Sequence, residues 1–170
     1  MPTMDAGPSA DPFARLLTEH ADFVEKLSEL EAVLDEMVGR REAREENREL
    51  VDEALRFFRE ELFSHFLLEE RVVLPVLEPT LGRYGSLVNV VAYEHDEVRR
   101  EVAKFAEARD TLFRSPDPWP SIQELNRHGL FTIQFLWDHF RKEKASLFPA
   151  AREALSPEEL SRIRDGLSRA

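Results

Sequence analysis

Apolar residues return along this chain every three or four positions, in four long runs separated by polar or proline-rich breaks. The first run carries Phe13, Leu16, Leu17, Phe23, Val24, Leu27, Leu30, Leu34 and Met37 as far as Gly39. It predicts a helix whose first residue is Pro12, behind an Asp11 cap. Residues 40–49 are charged all round and read as either a connection or exposed helix ends. A second helix is expected from about Asn47 to Leu77, with Leu50, Ala54, Phe58, Leu62, His65, Glu69, Val72 and Val76 in one row, and with Pro75 kinking or closing its last turns. Pro79 through Gly85 reads as a turn. A third helix runs from about Ser86 to Arg114 with Val88, Val91, His95, Val98, Val102 and Phe105 inward. The sequence S-P-D-P-W-P then breaks the chain. The fourth helix is expected to open at Ser121, with Glu124 completing a capping box, and to run through Leu125, Thr132, Phe135, Leu136, His139, Glu143 and Leu147 to about Glu153. A last short helix starts at Ser156-Pro157, with Glu159 forming a second box. No stretch alternates with the period of a strand. The fold class is therefore all-α: an up-down-up-down antiparallel four-helix bundle with a short C-terminal fifth helix. By domain, residues 1–11 read as a disordered tail, 12–153 as the bundle and 154–170 as the terminal helix.

Histidines and glutamates interrupt the apolar rows, and they do so twice in the same way. His65 to Pro75 reads H-F-L-L-E-E-R-V-V-L-P, and His139 to Pro149 reads H-F-R-K-E-K-A-S-L-F-P. In each, a glutamate follows the histidine by four residues, so the two side chains share one helix face. Glu19-His20 likewise recurs as Glu94-His95, and the offsets between copies are 74 or 75 residues throughout. Each half of the chain is thus a helix pair bearing two histidines and an inward glutamate. Counting helical rise from the connections puts His20, His65, His95 and His139 in a single layer. An unpaired carboxylate is costly in a core. Four level imidazoles with Glu69 and Glu143 among them point to metal binding, and the duplication points to two ions, each on two histidines and bridged by the glutamates.

Composition narrows the chemistry. With no cysteine among 170 residues, disulfides, thiolate metal sites and cysteine nucleophiles are excluded. A net charge of -11 argues against nucleic acid or an anionic membrane surface as partner. The N-terminus lacks the basic start and apolar run of a secretion signal, and no run is long enough to span a bilayer, so the expected location is cytoplasmic. Imidazole and carboxylate ligands suit iron better than magnesium or calcium.

The spacing H…H-x-x-x-E…H…H-x-x-x-E, met at His20, His65/Glu69, His95 and His139/Glu143, resembles that of the hemerythrin-like family, the HHE cation-binding domain. Both E-H pairs, both H-F-x-x-E runs and the Leu-Pro and Phe-Pro steps match as well, over about residues 12–153. The resemblance implies a non-haem di-iron centre, two iron ions with an oxo or hydroxo bridge, meeting a small diatomic or peroxide ligand such as O2, NO or peroxide. It points to sensing, or to a response to oxidative or nitrosative stress. Alternatives are a di-iron enzyme that reduces peroxide or NO or repairs iron centres, and an iron sequestration protein without catalysis. Oxygen-carrying hemerythrins place a histidine four residues after the one on the third helix. Here that position is Arg99, whose permanently charged guanidinium cannot ligate a cation, so oxygen transport is disfavoured. With that extra ligand absent, the two irons are expected to be alike.

Other residues near the pattern have plainer expected roles. Glu61, one turn before His65, is the candidate for an outer carboxylate supporting a ligand. Glu19, Glu70 and Glu94 lie about 100° round their helices from the neighbouring ligand and are expected to be solvated. Tyr93, Trp119 and Trp137 are expected to pack. His128, three turns before His139, is expected near a helix cap and about 16 Å from the layer.

Overall fold

The computed structural model describes residues 11–82 and 86–170, and these form five helices with antiparallel packing and no strand. Four long helices make the bundle. Helix α1 is Ala14–Arg40. Helix α2 covers residues 45–81, being α-helical over Glu45–Arg56, Phe63–Leu68 and Leu74–Leu81, with wider π-type turns at Phe57–Leu62 and Glu69–Val73. Helix α3 is Leu87–Arg114, and α4 covers residues 119–154 with one wide turn at Glu143–Leu147. Helix α5 is Pro157–Arg169. Each long helix packs on two others, α1 on α2 and α4, and α3 on α2 and α4. The expected tail, apart from Asp11, lies outside the described residues, as does the end of the expected turn at residues 79–85.

The helix ends follow local chemistry, with some departures from expectation. Asp11 does act at the start of α1, where its carboxylate accepts the Phe13 N–H at 3.1 Å, but Pro12 sits in the preceding turn and the helix begins at Ala14. The same carboxylate pairs with Arg152 at 2.8 Å, tying the start of α1 to the end of α4. Arg41, in the left-handed region at φ 56°, ends α1 one residue beyond the helical Arg40. Helix α4 opens at Trp119, two residues before Ser121, because Asp117 accepts the Trp119 N–H at 3.2 Å and Pro120 is preset for a first turn. Ser121 is consequently a buried residue inside the helix, not a cap. Ser86 and Ser156 do cap α3 and α5, accepting from Asn89 and Glu159. Pro79 and Thr80 continue α2, which ends at Gly82 with φ 83°.

Two of the three wide turns run into a proline. Pro75 and Pro149 have no N–H, and each ring clashes with the carbonyl four residues earlier in a regular helix. The chain takes an i to i+5 turn just before each: Leu74 N–H bonds to Glu69 O, and Phe148 N–H to Glu143 O. The helices therefore pass through both prolines instead of closing there. The turn at Phe57–Leu62 shifts register as well, so Val51 and Leu55 are buried while Leu50, expected in the inward row, is 40% exposed.

Two apolar clusters fill the interior. One gathers Leu27, Leu34, Val51, Phe58, Phe105 and Leu125, and the other Phe13, Leu16, Leu77, Val91, Phe148 and Ile163. On α1, His20 falls between Leu16 of the second cluster and Phe23 of the first, so the polar layer lies between two dry blocks. Helix α5 closes the second block with Ile163 and Leu167. Phe148 is fully buried there and stacked on Phe13 with ring centroids 4.4 Å apart. Phe148→Ala is expected to cost about 3–5 kcal/mol by urea denaturation. A loss under about 1 kcal/mol would contradict the role of this block.

Candidate metal centre

All four histidines and both inward glutamates arrive in the layer between the blocks, each nine-tenths or more buried. His20 comes from α1, His65 and Glu69 from α2, His95 from α3, and His139 and Glu143 from α4. The i, i+4 spacing sets His65 Nε2 2.8 Å from Glu69 Oε1 and brings His139 Nε2 against Glu143 Oε1. Glu69 also reaches across the bundle, its Oε2 lying 3.2 Å from His95 Nε2. His20 Nε2 lies 3.1 Å from His65 Nε2, 3.6 Å from Glu143 Oε2 and 3.8 Å from Glu69 Oε1. Phe66 stacks on the His95 ring at 4.0 Å and Phe140 on the His20 ring at 4.4 Å, which fixes both imidazole planes.

His20 Nε2 and His65 Nε2 are hydrogen-bonded to one another, but the contacts to the two glutamates are close and misaligned for hydrogen bonding. Both oxygens of Glu69, both of Glu143, and the Nε2 atoms of His95 and His139 are buried without a hydrogen-bond partner. Buried polar groups are normally satisfied, and a cluster of orphans needs an explanation. A cation would supply it, because lone pairs that converge on a point between them cannot also align with one another. Two overlapping groups fit this description: His20, His65, Glu69 and Glu143, and then Glu69, His95, His139 and Glu143, with one ligand atom from each residue within 4.8 Å of the others. Glu69 and Glu143 belong to both groups. The donor set of imidazole and carboxylate, free of thiolate, fits a first-row transition metal.

Outer carboxylates hydrogen-bond two of the four imidazoles and approach a third, and they are not the one expected. Glu61 is exposed and pairs with Lys26 at 2.5 Å, because the wide turn at Phe57–Leu62 rotates it out of the His65 row. Glu19 instead meets His65 Nδ1 at 2.6 Å, Glu70 meets His95 Nδ1 at 3.0 Å, and Glu94 lies 3.5 Å from His139 Nδ1. The 100° offset that turns each glutamate from its sequence neighbour turns it toward the next helix. A carboxylate directly beside a ligand in E-H, E-E and again E-H was the available signal. Each of the three is anchored by a cation: Arg15 on Glu19, Arg99 on Glu70 and Lys142 on Glu94. Arg99 thus reaches the centre through Glu70 and also lies over the Phe66 ring. The remaining histidine, His128, is buried mid-helix between Glu101 and Glu124, away from any cap and apart from the layer. Trp119 packs under the Arg41 guanidinium at 4.2 Å, whereas Tyr93 and Trp137 are exposed.

Burial and neighbouring charge divide the protons unevenly. Desolvation raises the Glu143 pKa well above the carboxylate range, and the Glu69 charge adds to it. Desolvation opposes ionisation of Glu69 too, but His65 outweighs it and holds Glu69 well below that range. For His65, desolvation lowers the pKa, yet Glu69 and Glu19 overcome it and push the ring up to about 10. His20 is lowered, chiefly by desolvation. At neutral pH, protein stripped of metal therefore carries a proton on His65, which a cation binding at Nε2 would displace, and burial favours the protonated form of Glu143 as well. Coordination through Nε2 would release the proton there and leave the Nδ1 proton of His65 facing Glu19.

The model of the family described as Hemerythrin HHE cation binding domain matches residues 9–151. Comparison with curated proteins gave no match. Because the His65 ring, with its pKa pushed up to about 10, must lose a proton to bind a cation, cobalt(II) affinity is expected to climb by about 10-fold per pH unit between roughly pH 6 and 8. Competition titrations in that range check it, and a flat profile would contradict the proton assignment.

Proposed function

The chain belongs to the hemerythrin HHE cation-binding domain family, and from that premise we propose that the buried cluster holds two iron ions. The protein then binds or reacts with a small ligand, O2, NO or peroxide, in sensing or in the response to oxidative or nitrosative stress. The observation that carries this reading is the sharing of two partnerless, fully buried carboxylates between two overlapping ligand groups. In it, His20 and His65 hold one ion, His95 and His139 hold the other, and Glu69 and Glu143 span both. Iron at such a site supplies a redox-active Lewis acid for small electron-rich ligands.

The chain's own residues set the conditions for that chemistry. Phe66 and Phe140 cover imidazole faces and keep the layer dry, which strengthens every electrostatic interaction within it. Glu19, Glu70 and Glu94 orient the rings from outside and increase their basicity. Arg99, where the oxygen carriers of the family have a further histidine, is engaged by Glu70 and Asp96 and contributes no ligand. That supports reaction or sensing over reversible transport. Among the described residues no helix is long and apolar enough to cross a membrane.

After expression with iron, metal analysis is expected to approach two irons per chain, and Glu69→Ala or Glu143→Ala to lower it sharply. A stable single iron per chain in the wild type would refute the bridged arrangement. The reduced protein is expected to be oxidised quickly by O2 and to change its spectrum with NO. Full reversal of the O2-induced spectrum under argon would restore the carrier reading.

A further inference from the structure

The two halves of the centre are built from the same repeat but are not supported alike. Glu19 and Glu94 are repeat-related and stand behind His65 and His139. Glu70 stands behind His95, and its repeat-related position, 74 residues on, is Lys144. The imidazole that Lys144 should back is His20, whose Nδ1 is buried with no hydrogen-bond partner and no carboxylate beside it, whereas His139 Nδ1, also without a hydrogen bond, has Glu94 at 3.5 Å. Arg99, which fixes Glu70, is likewise replaced by Val24 in the other half. At His95 the histidine, carboxylate and guanidinium form a closed chain. At His20 there is instead an open cleft of about 790 Å3 between α1 and α4, to which His20, Val24, Trp137 and Lys144 all contribute.

Resting on the two-ion reading, we propose that the ion held by His20 and His65 is the exchangeable one, and that the ion held by His95 and His139 is the permanent one. An outer carboxylate fixes the tautomer and the orientation of a ligating imidazole and raises its basicity; losing one typically weakens metal binding about 10–100-fold. His20 has neither that support nor a neutral substitute, since Lys144 brings a positive charge toward an incoming cation. Its ring is positioned by aromatic stacking on Phe140 and Phe148 and by the Nε2 contact with His65, with no carboxylate at Nδ1. The cleft gives solvent and small molecules their approach on the same side, whereas Glu70 and Arg99 occupy the corresponding place beside His95. The repeat therefore supplies two sites of one design, and the Glu70/Lys144 difference ranks them.

The test is an anaerobic titration of the metal-free full chain with cobalt(II) alone, read by visible absorption against a competing chelator. Two equivalents are expected, the second about 10–100-fold weaker than the first. His20→Ala should remove the weak step and leave the tight one, while His95→Ala should remove the tight one. Lys144→Glu should tighten the weak step, and Glu70→Gln should loosen the tight step; both positions lie outside the ligand set. Two equivalents of equal affinity in the wild type would overturn the ranking while leaving the two-ion reading intact. The ranking would also be overturned if His20→Ala and His95→Ala lost the same step, or if Lys144→Glu had no effect. A total of one equivalent would refute the two-ion reading and this proposal with it.

Discussion

Glu69 and Glu143 share the middle of the bundle with four imidazoles, and no oxygen of either carboxylate has a hydrogen-bond partner. Taking such groups out of water costs several kcal/mol per ion unless a charge or a proton compensates. Protons can do so in part, since burial and the Glu69 charge raise the Glu143 pKa, and Glu69 and Glu19 hold His65 cationic. That arrangement still leaves eight buried polar atoms without partners. A bound cation turns the same atoms from a cost into a source of folding free energy. The apolar blocks on either side make this consequential, because they shut out the water that would otherwise satisfy the layer.

Holding six groups in one layer requires four helices to present them at one height. The prolines after each H-x-x-x-E run belong to this requirement. They force the turn that begins at Glu69 and at Glu143 to widen, and the helices continue beyond it into the second apolar block. Wide turns of this kind concentrate at functional sites. Here they occur at the two residues common to both ligand groups, so the backbone irregularity and the chemistry have the same address.

Most of the bundle could be read from the spacing of apolar residues, and the six inward ligands from their repetition. His20, His65, Glu69, His95, His139 and Glu143 stand in apolar rows, and periodicity alone brings such rows together. What escaped reading depended on departures from 3.6 residues per turn or on neighbouring helices. Glu61 was misplaced because a wide turn separates it from His65, and Leu50 gave way to Val51 for the same reason. For Glu19, Glu70 and Glu94 the offset on one helix points to solvent and says nothing about what the next helix presents there. The start of α4 moved because Asp117, outside the helix, caps better than Ser121 within it. The two halves differ at Lys144, where the repeat of Glu70 falls, a difference visible in the sequence but given meaning only by the position of Glu70 beside His95.

Diffraction at the iron absorption edge from crystals of protein expressed with iron tests the central claim most directly. The account predicts two anomalous peaks in the layer, one beside His20 and His65 and the other beside His95 and His139, both in contact with Glu69 and Glu143. A single peak, or peaks outside the reach of either glutamate, would contradict it.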